Sequence, residues 1–217
     1  MFNYTPIEFD DLKTVTIDGK RFYLTPDGNR YPSVTTITGL YGKQAILEWR
    51  KRVGEEEANK ISTQASSRGT RMHTLCEKYL LGEDFGKVMP DALAMFNKIK
   101  PILDDNITDI YGIETPLYSD HLRVAGRVDC IARFAGKRAI VDFKTSSKPK
   151  KEEWITNYFM QCAAYAVMFE ERTGISIPKL AIVIAVADAE PQLFVKNRDD
   201  YIGNFLSLRE EYDAMVA

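Results

Sequence analysis

The stretch Gly126–Ser146 reads GRVDCIARFAGKRAIVDFKTS, and its pattern predicts two short antiparallel strands joined by a tight turn. Each half carries one acid among apolar neighbours, Asp129 in the first and Asp142 in the second, and Lys144 follows Asp142 two places on. Alternate side chains of a strand share a face. Asp142 and Lys144 therefore point one way, while Val141, Phe143 and Thr145 point the other. With Ala135-Gly136 as a two-residue loop, Phe134 faces Lys137 and, counting outward, Asp129 falls opposite Asp142. Directly opposed side chains lie about 4.5–5.5 Å apart at Cβ. Two carboxylates that close repel unless one keeps its proton or a cation lies between them. A purely structural hairpin has little reason to tolerate this; a divalent-metal site requires it. Ala suits the positive φ of a type I′ turn poorly. A longer loop with a bulge is the alternative, and it also brings the two acids together.

The bulk properties frame that hairpin. A chain of 217 residues, 45% hydrophobic and 28% charged, supports one domain with a sizeable core and a helical part. No apolar run approaches the roughly 18 residues needed to span a membrane; the longest, Leu180–Ala187, suits a buried strand. The segment Met1–Asp11 lacks the basic and apolar regions of a signal peptide. The expectation is a soluble, cytoplasmic protein of a bacterial or phage-type setting with no membrane partner. Cys76, Cys130 and Cys162 are far apart, set in apolar contexts and without a CxxC, which predicts buried free thiols and no zinc ribbon or iron–sulphur cluster. A net charge of −2 argues against indiscriminate duplex binding through a broad basic surface. Lys137–Lys151, however, holds six basic residues and one acid. That is a local basic patch beside the two aspartates or, for Lys148, Lys150 and Lys151, a solvated lysine loop.

Working outward from the hairpin, Thr14–Ile17, Asp18-Gly19 and Arg21–Leu24 predict a second hairpin with a favoured Asp-Gly turn. Ser33 caps a short helix in VTTITGLYG; these N-terminal pieces are expected to cover an edge of the core. Helix signals run from Lys43 to about Asn106. Ala45–Arg52 is one segment, with Gly54 a weak point and Glu55–Glu57 suited to the first turn of the next. Ser66-Ser67 offers an N-cap for a helix through Leu81, and Pro90 starts another to about Lys98, before Pro101. Strand patterns take over from Ile107 to Tyr118. Lys151–Arg172 reads as an amphipathic helix, Lys179–Ala187 as a buried strand, Gln192–Lys196 as an edge strand and Arg198–Met215 as a last helix. The order implies an α/β fold, a central mixed sheet flanked by helices.

Val128-Asp129, the turn, and Asp142-Phe143-Lys144 resemble the core motif of the PD-(D/E)XK nucleases. With GRVD, VDFKTS, the helical QCAAYA and the upstream SRGTRMH, the chain resembles the RecB-type branch, and within it the small mitochondrial-genome-maintenance and phage exonuclease group. PSVTTI (Pro32–Ile37) matches that group near its start, and the likeness extends from about Tyr31 to Val195. It implies a restriction-endonuclease-like core, with residues 1–106 supplying an N-terminal hairpin and a helical arch, and 107–217 the catalytic sheet of one nuclease domain. Position by position, it implies that Asp129 and Asp142 bind metal, that Lys144 orients the attacking water and supports phosphorane charge, and that His73 completes the metal shell. It places Glu114 as a supporting acid and Gln161 and Tyr165 at the border of the site. The first acid follows Val128 where the motif has proline.

The chemistry is consistent with those residue types. A bound Mg²⁺ or Mn²⁺ lowers the pKa of water and neutralises charge that builds on a phosphate. Hard cations take oxygen ligands, which suits Asp129, Asp142 and the Phe143 carbonyl, and imidazole from His73 moves preference toward Mn²⁺. Arg68, Arg71, Thr145, Ser146, Lys148 and Tyr158 are candidate nucleic-acid contacts. Each has a plainer alternative. Glu114 either serves the site or pairs with Arg127 or Arg123. Glu77, a turn beyond His73, is either a second-layer acid or a solvated one. Trp154, Tyr158, Gln161 and Tyr165 form one helical stripe, which is ordinarily core packing. The expected function is that of a metal-dependent DNA exonuclease acting on free ends or single strands. An endonuclease on the same fold and a DNA-binding protein without turnover are the alternatives.

Overall fold

The computed structural model describes residues 2–216. Its centre is a six-stranded mixed sheet in the order β1-β5-β6-β7-β8-β9, built from β1 (Asn3–Tyr4), β5 (Ile107–Ser119), β6 (Val124–Phe134), β7 (Lys137–Ser146), β8 (Lys179–Val186) and β9 (Gln192–Asn197). A separate meander of β2 (Lys13–Ile17), β3 (Lys20–Leu24) and β4 (Arg30–Pro32) precedes it. The helices are α1 (Val34–Thr38), α2 (Gly42–Val53), α3 (Glu55–Leu81), α4 (Pro90–Asn106), α5 (Thr156–Thr173) and α6 (Asp199–Val216). β5, β6 and β7 pair antiparallel, whereas β7 and β8 pair parallel. Parallel neighbours need a long crossover, and α5 supplies it.

Period-2 patterning decides which helices lie on which face. Leu180, Ile182, Ile184 and Val186 of β8 pack with α1, α5 and α6, while Ala181, Val183 and Ala185 pack with α3 and α4. Covered on both sides, β8 is apolar throughout, as a buried parallel strand is. Val141 and Phe143 join the α3–α4 layer, opposite to Asp142 and Lys144, as alternation along β7 requires. The fold is the mixed α/β, restriction-endonuclease-like arrangement that the sequence implies.

Three local expectations need correction. Helix α3 is continuous over Glu55–Leu81; Ser66 and Ser67 cap nothing, and the Ser66 carbonyl accepts the Thr70 hydroxyl within the helix. Packing prevails over capping preference here, because Met72, Leu75, Cys76 and Leu80 bury one face. The break expected at Gly54 is present: its φ of 87° and ψ of 152° are open essentially to glycine alone. Helix α4 runs through Pro101 to Asn106, held by Ile99 and Leu103, both fully buried. Finally, α5 begins at Thr156, after a short 3₁₀ turn at Glu152–Trp154. Cys76, Cys130 and Cys162 are free and buried, and no helix among the described residues is long and apolar enough to cross a membrane.

Candidate active site

The β6–β7 hairpin has the register derived from its sequence. Phe134 opposes Lys137, and the pairing runs back through Arg133/Arg138, Ala132/Ala139 and Ile131/Ile140 to Cys130/Val141. Ala135 (φ 45°) and Gly136 (φ 77°) both take positive φ, which is the two-residue type I′ turn. The ladder stops one pair short of the acids. Asp129 turns its carboxylate across the gap and accepts the Phe143 N–H at 2.9 Å. Beyond that point Val128 stays with Thr115 of β5, and Asp142 stays beside Ile182 of β8. The strands fork, and the fork is where the polar groups gather.

Helix α3 brings His73 to this fork. Its Nδ1 lies 3.4 Å from Asp129 Oδ1 and 3.9 Å from Glu114 Oε1. One potential ligand atom from each of His73, Glu114 and Asp129 lies within 4.8 Å of the others. Glu114 reaches the group through an unusual backbone, with φ of 47° in the middle of β5, a conformation that costs a non-glycine residue roughly 1–3 kcal/mol. Arg127 Nη1 donates to the Glu114 carbonyl and Nη2 to Asp11. Arg123 pairs with Asp213 instead. The Glu114 carboxylate thus faces His73 rather than an arginine.

Asp142 is 2% exposed and forms an ion pair with Lys144 Nζ. Its Oδ2 has no donor at hydrogen-bonding angles. Lys144 Nζ also lies 5.1 Å from the centre of the Tyr158 ring. A cleft of about 570 Å³ opens here, lined among others by His73, Glu114, Asp129, Lys144, Tyr158, Gln161 and Tyr165. Tyr165 fits because position 126 has no side chain: a Cβ there would fall 2.6 Å from the Tyr165 hydroxyl oxygen.

The electrostatics follow from burying several charges together. Burial pushes the Asp142 carboxyl up; Lys144 works against this, Asp129 adds to it, and the result is about 6. Burial also pushes Asp129 up, but the His73 hydrogen bond and the Lys144 charge outweigh it and hold Asp129 below the usual carboxylate range. For His73, burial pulls downward, yet hydrogen bonds to Asp129 and Glu114 and the charges of Asp129 and Asp142 raise it to about 10. Lys144 loses by burial and gains more from Asp142 and Asp129, ending above an ordinary lysine. Burial and the Glu114 charge raise Glu77.

These features suit a cation. The donor set is one imidazole nitrogen and carboxylate oxygens, a mixed nitrogen and oxygen shell of the kind first-row divalent ions accept. The buried Asp142 carboxylate is paired with Lys144, and a proton on His73 supplies positive charge beside Asp129 and Glu114. His73, Glu114 and Asp129 are residues that could hold such an ion, with Asp142 beside them. Phe143 enters through its N–H to Asp129.

The other expected contacts are dispersed. Arg71 is 3.8 Å from Asp91, and Arg68, like Arg71, is outside the lining of the cleft among the described residues. Thr145 is half-buried and Lys148 exposed. Ser146, expected to touch nucleic acid, is 5% exposed and its hydroxyl donates to the Lys148 carbonyl; it closes the loop after β7 instead. Trp154 is not core either, being 61% exposed. Arg21, Tyr23, Ser33, Thr35, Thr38 and Asn157, which no sequence pattern by itself marks as site residues, line the same cleft. The N-terminal meander and α1 are therefore a wall of the site and more than an edge cover. PSVTTI held the only signal: the Ser33 hydroxyl accepts Thr36 N–H and contacts the Thr35 and Thr36 hydroxyls.

The chain is similar to known proteins over most of its length. A family model described as "PD-(D/E)XK nuclease superfamily" matches residues 87–191, a span that includes Glu114, Asp129, Asp142, Lys144, Gln161 and Tyr165. The chain is 30% identical over 175 residues to mitochondrial genome maintenance exonuclease 1 of Xenopus tropicalis, covering 74% of this chain and 50% of that protein. For the protein of the same name from Homo sapiens the identity is 27% over 179 residues, covering 75% and 51%, and for that of Mus musculus 28%, covering 75% and 52%. The chain spans about half the length of the curated relatives it matches.

Proposed function

From the premise that the chain carries a PD-(D/E)XK nuclease superfamily domain, we propose that it is a metal-dependent DNA exonuclease acting on free ends or single strands. We take residues 1–217 as one nuclease domain. The observation that carries the reading is the convergence of His73, Glu114 and Asp129 within 4.8 Å, beside the buried Asp142–Lys144 pair at the fork of β6 and β7. Curated relatives named as exonucleases support the direction of the reading.

A Mg²⁺ or Mn²⁺ ion bound by these residues supplies Lewis-acid charge at the phosphate and lowers the pKa of a neighbouring water. The chain's own residues do the rest. Lys144 presents a fixed positive charge toward negative charge that builds on the phosphoryl oxygens; a group of this kind typically contributes about 10²–10³ in rate. Asp142 holds the Lys144 ammonium in place and shares its charge. Gln161 lines the same cleft, and in this reading its amide orients a phosphate oxygen or the attacking water. Tyr165, held against Gly126, fixes the wall behind them. The N-terminal meander and α1 narrow the entrance, which suits a single strand or a frayed end better than continuous duplex.

End-labelled linear and circular single-stranded DNA, incubated with Mg²⁺, Mn²⁺ or EDTA, test the proposal. The linear DNA is expected to disappear only with metal, and not with Lys144→Ala or Asp129→Ala. Cleavage of the circle would replace the exonuclease with an endonuclease. Binding without cleavage of either DNA, in both metals, would overturn catalysis altogether.

A further inference from the structure

The cleft does not end at the catalytic groups. Thr38, Gly39 and Asn157 line it and also line a second groove of about 850 Å³ that runs between α1–α2 on one side and α5–α6 on the other. Two large aromatics border this groove with most of their surface in solvent, Tyr41 at 64% and Trp154 at 61% exposed. Ile46 of α2, 55% exposed, adds an apolar contact. Both aromatics thus face one groove, and an exposed apolar lining of a groove marks a place where a ligand binds. The Lys151 ammonium lies 5.2 Å from the Trp154 ring centre, so a cation already accompanies the aromatic face.

Trp154, in the turn before α5, and Tyr158, Gln161 and Tyr165 of α5 connect the two spaces. Trp154 lies in the groove and the other three in the cleft. Trp154 ends the 3₁₀ turn just before α5, so the groove continues the cleft past the first turn of that helix. Glu153 and Glu211 also line the groove and disfavour phosphate there. Asn157, Asn204 and Ser207 offer amide and hydroxyl groups to base edges.

We propose that this groove is a base-stacking subsite for single-stranded DNA, with Trp154 and Tyr41 stacking bases of the strand whose phosphate lies at Lys144. The inference rests on the exonuclease reading of the neighbouring cleft. The bases turn inward and the phosphates outward, which accounts for aromatic and acidic side chains lining the same groove. A duplex hides its base faces and does not fit this chemistry.

The test is binding of 5′-fluorescein-labelled oligo(dT) of 2 to 12 nucleotides in EDTA, read by anisotropy, with the full chain. Affinity is expected to rise with length until the oligonucleotide spans both the cleft and the groove. Trp154→Ala should weaken binding of the 12-mer about 10-fold, within the range set by 1–3 kcal/mol per stacked base, while Trp154→Tyr should restore most of it. The intrinsic emission of the two tryptophans, Trp49 and Trp154, should be quenched by the 12-mer, and that quenching should vanish in Trp154→Phe. Because Trp154 is largely exposed, these variants keep the fold. Unchanged affinity in Trp154→Ala, or absent quenching, overturns the subsite. Wild-type hydrolysis of bis(p-nitrophenyl) phosphate with Mn²⁺ is measured in parallel. Its failure would count against the catalytic reading alone, since the binding arm needs no turnover.

Discussion

Replacing Lys144 with methionine should destabilise the metal-free protein in a strongly pH-dependent way. Asp142 is buried, and even beside Lys144 its carboxyl is pushed from 3.8 to about 6. Between those values the folded state binds more protons than the unfolded state, so stability falls as pH rises through that window. Two pKa units at 1.36 kcal/mol each make the penalty about 3 kcal/mol above pH 6. Lys144 is the strongest influence holding that penalty down. Without it the folded-state value rises further, and the fall in stability extends to higher pH. Breaking a buried pair by removing one partner costs about 3–5 kcal/mol, and that loss is expected near pH 8. Near pH 5 Asp142 is largely protonated in both proteins, so the loss shrinks to roughly 1 kcal/mol, the size of a substitution that orphans no charge. Urea unfolding in EDTA at the two pH values measures the difference. Adding Asp142→Asn to Lys144→Met should recover most of the loss at pH 8 and little at pH 5. Equal losses at both pH values, or a smaller one at pH 8, would refute the reasoning.

Three further outcomes are expected. Gly126→Ala places a Cβ 2.6 Å from the Tyr165 hydroxyl oxygen and 2.9 Å from its Cε1. That should cost about 1–3 kcal/mol of stability, with partial recovery on adding Tyr165→Phe; a neutral substitution in urea unfolding would show that the contact gives way freely. In EDTA, the folded-state value of about 10 for His73 means that its contribution is fully present below 6.5 and is lost as pH climbs to 10. The slope is at most about 1.4 kcal/mol per pH unit, and His73→Asn should flatten it in denaturation profiles from pH 6 to 10. Ala135 occupies a left-handed position at φ 45° that Asn tolerates better, so Ala135→Asn should stabilise by about 0.5–1 kcal/mol; a lower melting temperature would contradict the type I′ assignment.

Local pattern carried the hairpin a long way. Alternation placed Asp142 and Lys144 on one face of a strand, and the two-residue turn gave the register as far as Cys130/Val141 because β pairing has a strict period of two. An unbroken apolar run marked β8, and 3.6-residue periodicity marked the buried face of α5. The likeness of short motifs pointed to His73, Glu114, Gln161 and Tyr165, but no spacing in the chain states that they meet. Pattern also failed where packing prevailed over propensity, as at Ser66-Ser67 inside α3 and Pro101 inside α4.

By itself, then, the sequence determined which residues share a face, which strands neighbour each other around Ala135-Gly136, and which residue types stood ready for a cation. Only the tertiary structure decided how they gather. It opened the ladder just before the two acids, so that Asp129 meets the Phe143 N–H and His73 while Asp142 turns to Lys144. It bent Glu114 into the group through a positive φ anchored by Arg127, brought the N-terminal meander round as a wall, and left Trp154 beside a groove. The physical reason is range. Periodicity reports the orientation of a side chain relative to its own element, whereas a site is made of distances between elements, and those are set by the packing of the two helical layers on the sheet.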